Sequence, residues 1–179
     1  KIVLNVIPRN LLTRLSFLLK PLIKIYLFGG KHVDPIDGSS FRKFLPYGYN
    51  KIRLNALSPS TFSLERHRLL WLYLKRETDF FNKKIKVLHF APEAAFIEKF
   101  KKLKNISYDT IDLNSPLADI KADICNLPIR SDTYDFILCN HVLEHIIDDK
   151  KAMKELYRVL RKGGTGIFQV PLIMSNKKT

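Results

Sequence analysis

Residues 122–146 read ADICNLPIRSDTYDFILCNHVLEHI, and the centre of this run decides the fold. YDFILCN (134–140) is a near-continuous apolar run flanked by polar turn residues, the pattern of a strand buried on both faces. HVLEH (141–145) follows at once and fits the H-x-x-E-H signature of one class of zinc proteases. Such a protease needs both histidines on a long helix, a distant third ligand and a far larger domain. Placed directly after a buried strand, HVLEH instead predicts the start of a helix that turns Val142, Leu143 and Ile146 to the sheet, with no metal site. In that reading His145 is a structural hydrogen-bonder within the helix, and Glu144 is solvated or caps it.

Outward from this strand, apolar runs and helical patterns alternate. IKVLHF (85–90), SYDTIDL (107–113), ADIC (122–125) and TGIFQVP (165–171) are predicted strands. EAAFIEKFKKL (93–103) and DDKKAMKELYRVLRKGG (148–164) are predicted helices, the second stopped by Gly163 and Gly164. This alternation predicts an α/β fold with a mostly parallel sheet, helices on both faces and right-handed crossovers. Ligands then bind beyond the carboxyl ends of the strands, where the strand order reverses. Asp112 ends the second strand, where an acid can hydrogen-bond ribose hydroxyls. Asp123 opens the third, where its carboxylate can accept from an adenine amino group.

VLHFAPE (87–93), IDLN (111–114), the 122–146 run, KELYRVLRKGG (154–164) and FQVP (168–171) together resemble, in order and spacing, the core of class I S-adenosylmethionine-dependent methyltransferases, in particular the type 11 subgroup. The resemblance covers residues 84–172 and implies a Rossmann-like domain that binds S-adenosylmethionine and releases S-adenosylhomocysteine. By position it implies that the loop Phe90, Ala91, Pro92, Glu93 meets the methionine moiety. Asp112 with Leu113 would meet the ribose, Asp123 with Ile124 the adenine, and Asn140 and His141 would lie beneath the reactive methyl. His141 is the one candidate general base. The family's first motif is D-x-G-x-G-x-G, whereas this chain has HFAPEAA (89–95), without glycine. Pro92 removes an amide donor, and Ala91 and Ala94 add β-carbons where close approach is usual. The loop keeps small residues, and Glu93 becomes a candidate for the substrate or the methionine ammonium; loss of catalysis is the alternative. The family also has two strands after the fifth, which LIMSNKKT (172–179) is too short to supply. The sheet is therefore expected to be truncated after its fifth strand, with an edge open to a second copy as a homodimer.

Net charge is +14, and residues 1–84 carry 16 Lys/Arg against 5 Asp/Glu. This basic half is compatible with an anionic partner. Residues 1–31 hold six Lys/Arg and no acid, and Leu11, Leu12, Leu15, Leu18 and Leu19 recur at helical spacing in a segment that Pro8 is expected to open and Pro21 to break. Residues 1–28 are read either as a basic amphipathic helix on an anionic membrane surface or as a helix packed on the protein. No apolar run is long enough to span a bilayer. Cys125 and Cys139 lie in apolar runs, which predicts reduced thiols and a cytoplasmic protein.

Residues 32–83 form a lobe of loops and short strands followed by a helix from Ser63 to Asn82, capped by Ser63. Its DPIDG (34–38) and SPST (58–61) resemble the C-P-x-C pairs of a zinc ribbon found in the same methyltransferase subgroup. The ligand positions hold Asp34, Asp37, Ser58 and Thr61, a poor tetrahedral set, so no zinc is expected. Phe41, Phe44, Tyr47 and Trp71 are expected to hold the lobe together instead. Arg42, Lys43, Arg53, Arg66, His67 and Arg68 are candidates for contact with an anionic substrate. The sequence reading is thus a methyltransferase for a small molecule or glycan, in domains 1–31, 32–83 and 84–179. An RNA methyltransferase is the alternative, disfavoured because aromatic and basic residues do not interleave as a stacking platform. A non-catalytic scaffold at the membrane surface is the other alternative.

Overall fold

The computed structural model describes residues 9–48 and 51–171, with side chains from Leu18 onward. The chain forms two compact units, Lys1–Thr78 and Asp79–Thr179. The predicted helix start at Pro8 and the tail beyond Pro171 lie outside the described residues.

In the second unit, five parallel strands run in the order β7-β6-β5-β8-β9. They are β5 (Ile85–Phe90), β6 (Ile106–Asp112), β7 (Ile120–Lys121), β8 (Tyr134–Asn140) and β9 (Leu160–Gln169). The order reverses between β5 and β8, so their carboxyl ends frame a crevice. Alternation along each strand feeds two cores. Leu88 and Phe90 of β5 and Ile137 and Cys139 of β8 pack against helix α4 (Asp149–Val159) through Ala152, Leu156 and Val159. Val87, His89 and Phe136 face the other way, where Phe80 meets Phe100 at 5.0 Å and Phe136 at 5.2 Å between ring centroids. There Phe96 and Phe100 of helix α3 (Ala94–Lys101) stack on each other. Burial of these large side chains supplies most of the driving force.

Three element boundaries differ from the sequence reading. HVLEH does not start a helix. Leu143–His145 is a single 3-10 turn, His145 is exposed, and α4 opens at Asp149. The reason is that Asp148 caps the helix, its carboxylate accepting from the Lys151 amide at 2.9 Å. Val142, Leu143 and Ile146 still pack on the core as expected. The third strand is Ile120–Lys121 rather than ADIC, because the Asp123 side chain accepts from the Cys125 amide at 2.8 Å and bends the chain into a turn. Helix α4 ends at Val159, and β9 begins at Leu160 with a bulge before Thr165. Gly163 occupies φ +77° in that bulge, and a β-carbon on Gly164 would lie 2.9 Å from two backbone oxygens.

The first unit contains helix α1 (Arg9–Leu27), two antiparallel pairs, β1 (Phe28–Val33) with β2 (Ser40–Phe41) and β3 (Leu45–Tyr47) with β4 (Arg53–Leu57), and helix α2 (Glu65–Glu77). Pro21 does not break α1, since a proline removes only one backbone hydrogen bond of a long helix. Helix α2 ends at Glu77 rather than Asn82, and Ser63 does not cap it. Leu64 stands at that position, its amide donating to His67 Nδ1 at 3.0 Å, while Ser63 Oγ donates to Asp34 at 3.2 Å. Phe41 and Phe44 are buried edge-to-face as expected, but Tyr47 is exposed.

The two knuckle segments of this unit face one another. Fully buried Asp34 accepts from the Ile36 amide at 2.9 Å through Oδ1 and from Thr61 Oγ1 at 2.5 Å through Oδ2. Asp37 accepts from Ser60 Oγ at 3.2 Å, and Ser60 bonds Ser58 at 3.1 Å. The positions 34, 37, 58 and 61 thus converge on one hydrogen-bonded cluster. Among the described residues no group of three or more His, Cys, Asp or Glu side chains is arranged to hold a metal, and no helix is long and apolar enough to cross a membrane.

Candidate active site

The loop after β5 turns sharply at Ala91, whose φ of +45° lies in the left-handed region and whose amide donates to the Ile111 carbonyl at 2.9 Å. A backbone of this kind usually carries glycine, so the glycine-free loop retains the glycine conformation at the cost of some strain. Beside it, β6 ends in Asp112, whose Oδ1 accepts from the amides of Asn114 and Ser115, both at 2.7 Å. Those two bonds fix the carboxylate at the strand end and lock the following loop. Between them opens a cavity of about 110 Å³ lined by Phe90, Ala91, Asp112, Leu113, Asp123 and Ile124, with Ile111, Ala122, Val142 and Ile146 completing its wall. Apolar walls with two carboxylates at the rim suit one flat heterocycle and its sugar; whole-ligand pockets run to ~300–1,000 Å³.

Glu93 stands apart from this cavity. Its Oε2 accepts from His89 Nε2 at 3.2 Å and from Asn140 Nδ2 at 3.1 Å. His89 is fully buried and its Nδ1 lies 2.7 Å from the Tyr108 hydroxyl. Burial first, then the nearby charges of Glu93 and Asp119, hold the Tyr108 phenol protonated far above its ordinary range. The Glu93 carboxylate can only accept, so Nε2–H donates to it, and in that neutral tautomer Nδ1 accepts from the Tyr108 hydroxyl. His89 takes the position where the family's first motif has an acid, and the carboxylate reappears four residues on.

The site residues expected from sequence thus fall into two groups. Phe90, Ala91, Asp112, Leu113, Asp123 and Ile124 share the cavity wall, whereas Glu93 and Asn140 meet each other over the end of β8. Pro92 is buried within the turn. His141 follows Asn140 with φ +54°, its amide donating to the Gln169 carbonyl at 2.8 Å and its Nδ1 lying 3.2 Å from Glu144 Oε1. The Cys139 thiol is pushed up to about 12 by burial, then by Glu144, which keeps it a thiol at neutral pH; Cys125 is also raised, chiefly by desolvation. Sequence reasoning missed the cavity residues Ile111, Ala122, Val142 and Ile146, and it missed His89, Tyr108 and Gln169. Gln169 was findable, since it sits at the carboxyl end of a parallel strand.

In the first unit, Arg68 donates to the carbonyls of Ser63 at 2.6 Å and Ala56 at 3.0 Å and stacks on Phe44, so it and the buried His67 are structural. Arg53 pairs with Glu65 at 3.3 Å, and Arg42 lies over Tyr26.

Residues 78–168, half of the chain, match the family model for the type 11 methyltransferase domain. The chain belongs to this methyltransferase family. Among curated proteins none matches the chain. Solved structures that resemble it include a candidate sarcosine dimethylglycine methyltransferase from Galdieria sulphuraria, at 20% identity and a TM-score of 0.50 over 79% of this chain and 52% of that one. A candidate S-adenosylmethionine-dependent methyltransferase from Methanococcus maripaludis matches at 19% identity and a TM-score of 0.46, covering 56% of this chain and 52% of that one. One from Aquifex aeolicus matches at 16% and 0.42, covering 54% and 58%. The chain thus spans about half the length of these structures, and the Galdieria likeness speaks for the fold. S-adenosylmethionine is the methyl donor of this family, and the cavity between Ala91, Asp112 and Asp123 has the apolar wall and the acceptor carboxylates that an adenosine group calls for.

Proposed function

We propose that this domain binds S-adenosylmethionine and methylates a small molecule or glycoconjugate. The carrying observation is the cavity at the carboxyl ends of β5 and β6, walled by residues that follow β7 and β8, beside the reversal of strand order. In it Asp112 would hold the ribose hydroxyls, Asp123 the adenine amino group, and Phe90, Ile124 and Val142 the apolar faces of the base. Bound there, S-adenosylmethionine supplies an electrophilic methyl group. The domain's own contribution is placement, holding donor and acceptor in line and excluding water. His141 stands at the end of β8 as the candidate base. Calorimetric titration with S-adenosylhomocysteine tests this reading: micromolar binding that weakens at least ~10-fold in Asp112→Ala is expected, since a buried sugar hydroxyl would lose its acceptor. No binding at millimolar ligand would overturn it.

A second proposal concerns the first unit. Leu18, Leu22, Ile25 and Tyr26 are exposed along one side of α1, and Phe28 just beyond it, in a segment without a single acid before Asp34. An anionic lipid surface complements both the apolar side chains and the charge. The knuckle cluster supports a third: that this lobe is a zinc-ribbon relative whose metal has given way to hydrogen bonds centred on Asp34.

A further inference from the structure

Asn140, at the end of β8, is only 3% exposed. Chemistry fixes its amide orientation: Glu93 Oε2 is an acceptor, so the group 3.1 Å from it is Nδ2–H, and Asn140 Oδ1 faces elsewhere. That oxygen is buried and meets no donor among the described residues. Gln169, its register neighbour on β9, repeats the situation, with Oε1 buried and also without a donor. Residues paired in register on parallel strands carry side chains on the same face, ~4.8 Å apart. Buried acceptors are almost always satisfied, so two on adjacent strand ends point to a donor that arrives with a ligand. Glu93 adds a carboxylate to the same cluster, braced by His89 and Tyr108.

All three groups accept hydrogen bonds, and one is an acid. The complement is an N–H-bearing group with positive charge, rather than a carboxylate, a phosphate or a neutral hydroxyl. Position narrows it further. The nucleoside cavity is built on the ends of β5 and β6 and on residues after β7, with Val142 and Ile146 after β8 closing it, whereas these acceptors lie at the ends of β8 and β9 and just after β5, across the reversal of strand order. We propose that Glu93, Asn140 and Gln169 bind the amino group of the methyl acceptor, which makes the substrate of this domain an amine. The proposal rests on the methyltransferase reading and names its substrate class.

The test uses the full chain, isotopically labelled at nitrogen and saturated with S-adenosylhomocysteine. Methylammonium chloride is titrated in while the side-chain amide signals of Asn140 and Gln169 are followed. Tetramethylammonium, which has the charge but no N–H, is the control. Methylammonium should shift both signals and tetramethylammonium neither, and Gln169→Met and Glu93→Gln should each weaken the response at least ~10-fold with circular dichroism unchanged. Calorimetry with S-adenosylhomocysteine and with methylthioadenosine, which lacks the amino-acid end, separates the other outcomes. If Gln169→Met weakens only S-adenosylhomocysteine, the site holds the cofactor's own amine and the proposal is overturned. If methylammonium shifts nothing while methylthioadenosine still binds, the amine site is absent but the cofactor reading stands. If methylthioadenosine also fails to bind, both fall.

Discussion

Ala91 shows what a single residue decides here. A β-carbon at φ +45° costs about 1 kcal/mol, which a glycine would not incur. Glycine's own loss of backbone entropy on folding, about 0.5–1 kcal/mol, offsets much of that relief, so Ala91→Gly should hold the melting temperature of the second unit or raise it by up to about 4 °C in calorimetry, and its affinity for S-adenosylhomocysteine should hold or rise. A lower melting temperature would show that the Ala91 methyl packs more than it strains. Glu155 sets a pH dependence. Its hydrogen bonds from Arg158, foremost, and from the Leu127 amide hold its carboxyl down at about 2. A folded-state pKa below the unfolded value of about 4.3 means that the proton is bound more readily by the unfolded chain. The stabilisation is therefore complete above about pH 4.5 and is lost as pH falls towards 2. Glu155→Gln should flatten the acid limb of a melting-temperature profile between those limits; an unchanged acid limb would assign it to other carboxylates.

At the scale of elements, the start of β9 is the point where sequence pattern and structure part. KELYRVLRKGG continues the 3.6-residue period of α4 past Val159, so the pattern alone runs the helix to the glycines. The chain instead leaves the helix at Leu160, which pairs with Tyr134, and the bulge with Gly163 absorbs the mismatch before Thr165 meets Phe136. Gly164→Ala would set a β-carbon against the carbonyls of Arg161 and Asp135, and should destabilise by about 1–3 kcal/mol. Urea unfolding measures this; a value near zero would show that the bulge simply shifts. For α1, vesicle sedimentation is the check. Binding to phosphatidylserine-containing vesicles and not to phosphatidylcholine alone is expected, with Leu22→Asp and Ile25→Asp abolishing it. Equal binding to both vesicles, or to neither, would refute the lipid surface.

For the molecule as a whole, the two units answer different questions. The second unit's chemistry lies at strand ends brought together from residues 90 to 169, and the first unit's order centres on one buried carboxylate. Asp34→Ala would leave the Thr61 and Ser63 hydroxyls and the Ile36 amide without their acceptor, at a cost of about 3 kcal/mol. Near-ultraviolet circular dichroism should show the loss in the aromatic signals of this unit, and a chelator should leave the wild-type melting curve unchanged. A chelator-dependent melt would show that a metal, not Asp34, holds the knuckles.

The sequence by itself determined the parallel α/β sheet, the strand YDFILCN to the residue, and the nearness of the acids Asp112 and Asp123, which line one cavity. It could do so because burial on both faces and strand–helix alternation leave periodic, local marks. Tertiary structure alone decided that Glu93 meets Asn140 outside the cavity wall, that Gln169 stands beside Asn140 in register, and that Asp34 reaches Thr61. Those contacts span 27 residues or more between hydrogen-bonding partners, as for Asp34 with Thr61 and for Glu93 with Asn140. Side-chain pairing across such separations follows from how strands stack side by side, and no local period in the chain records it.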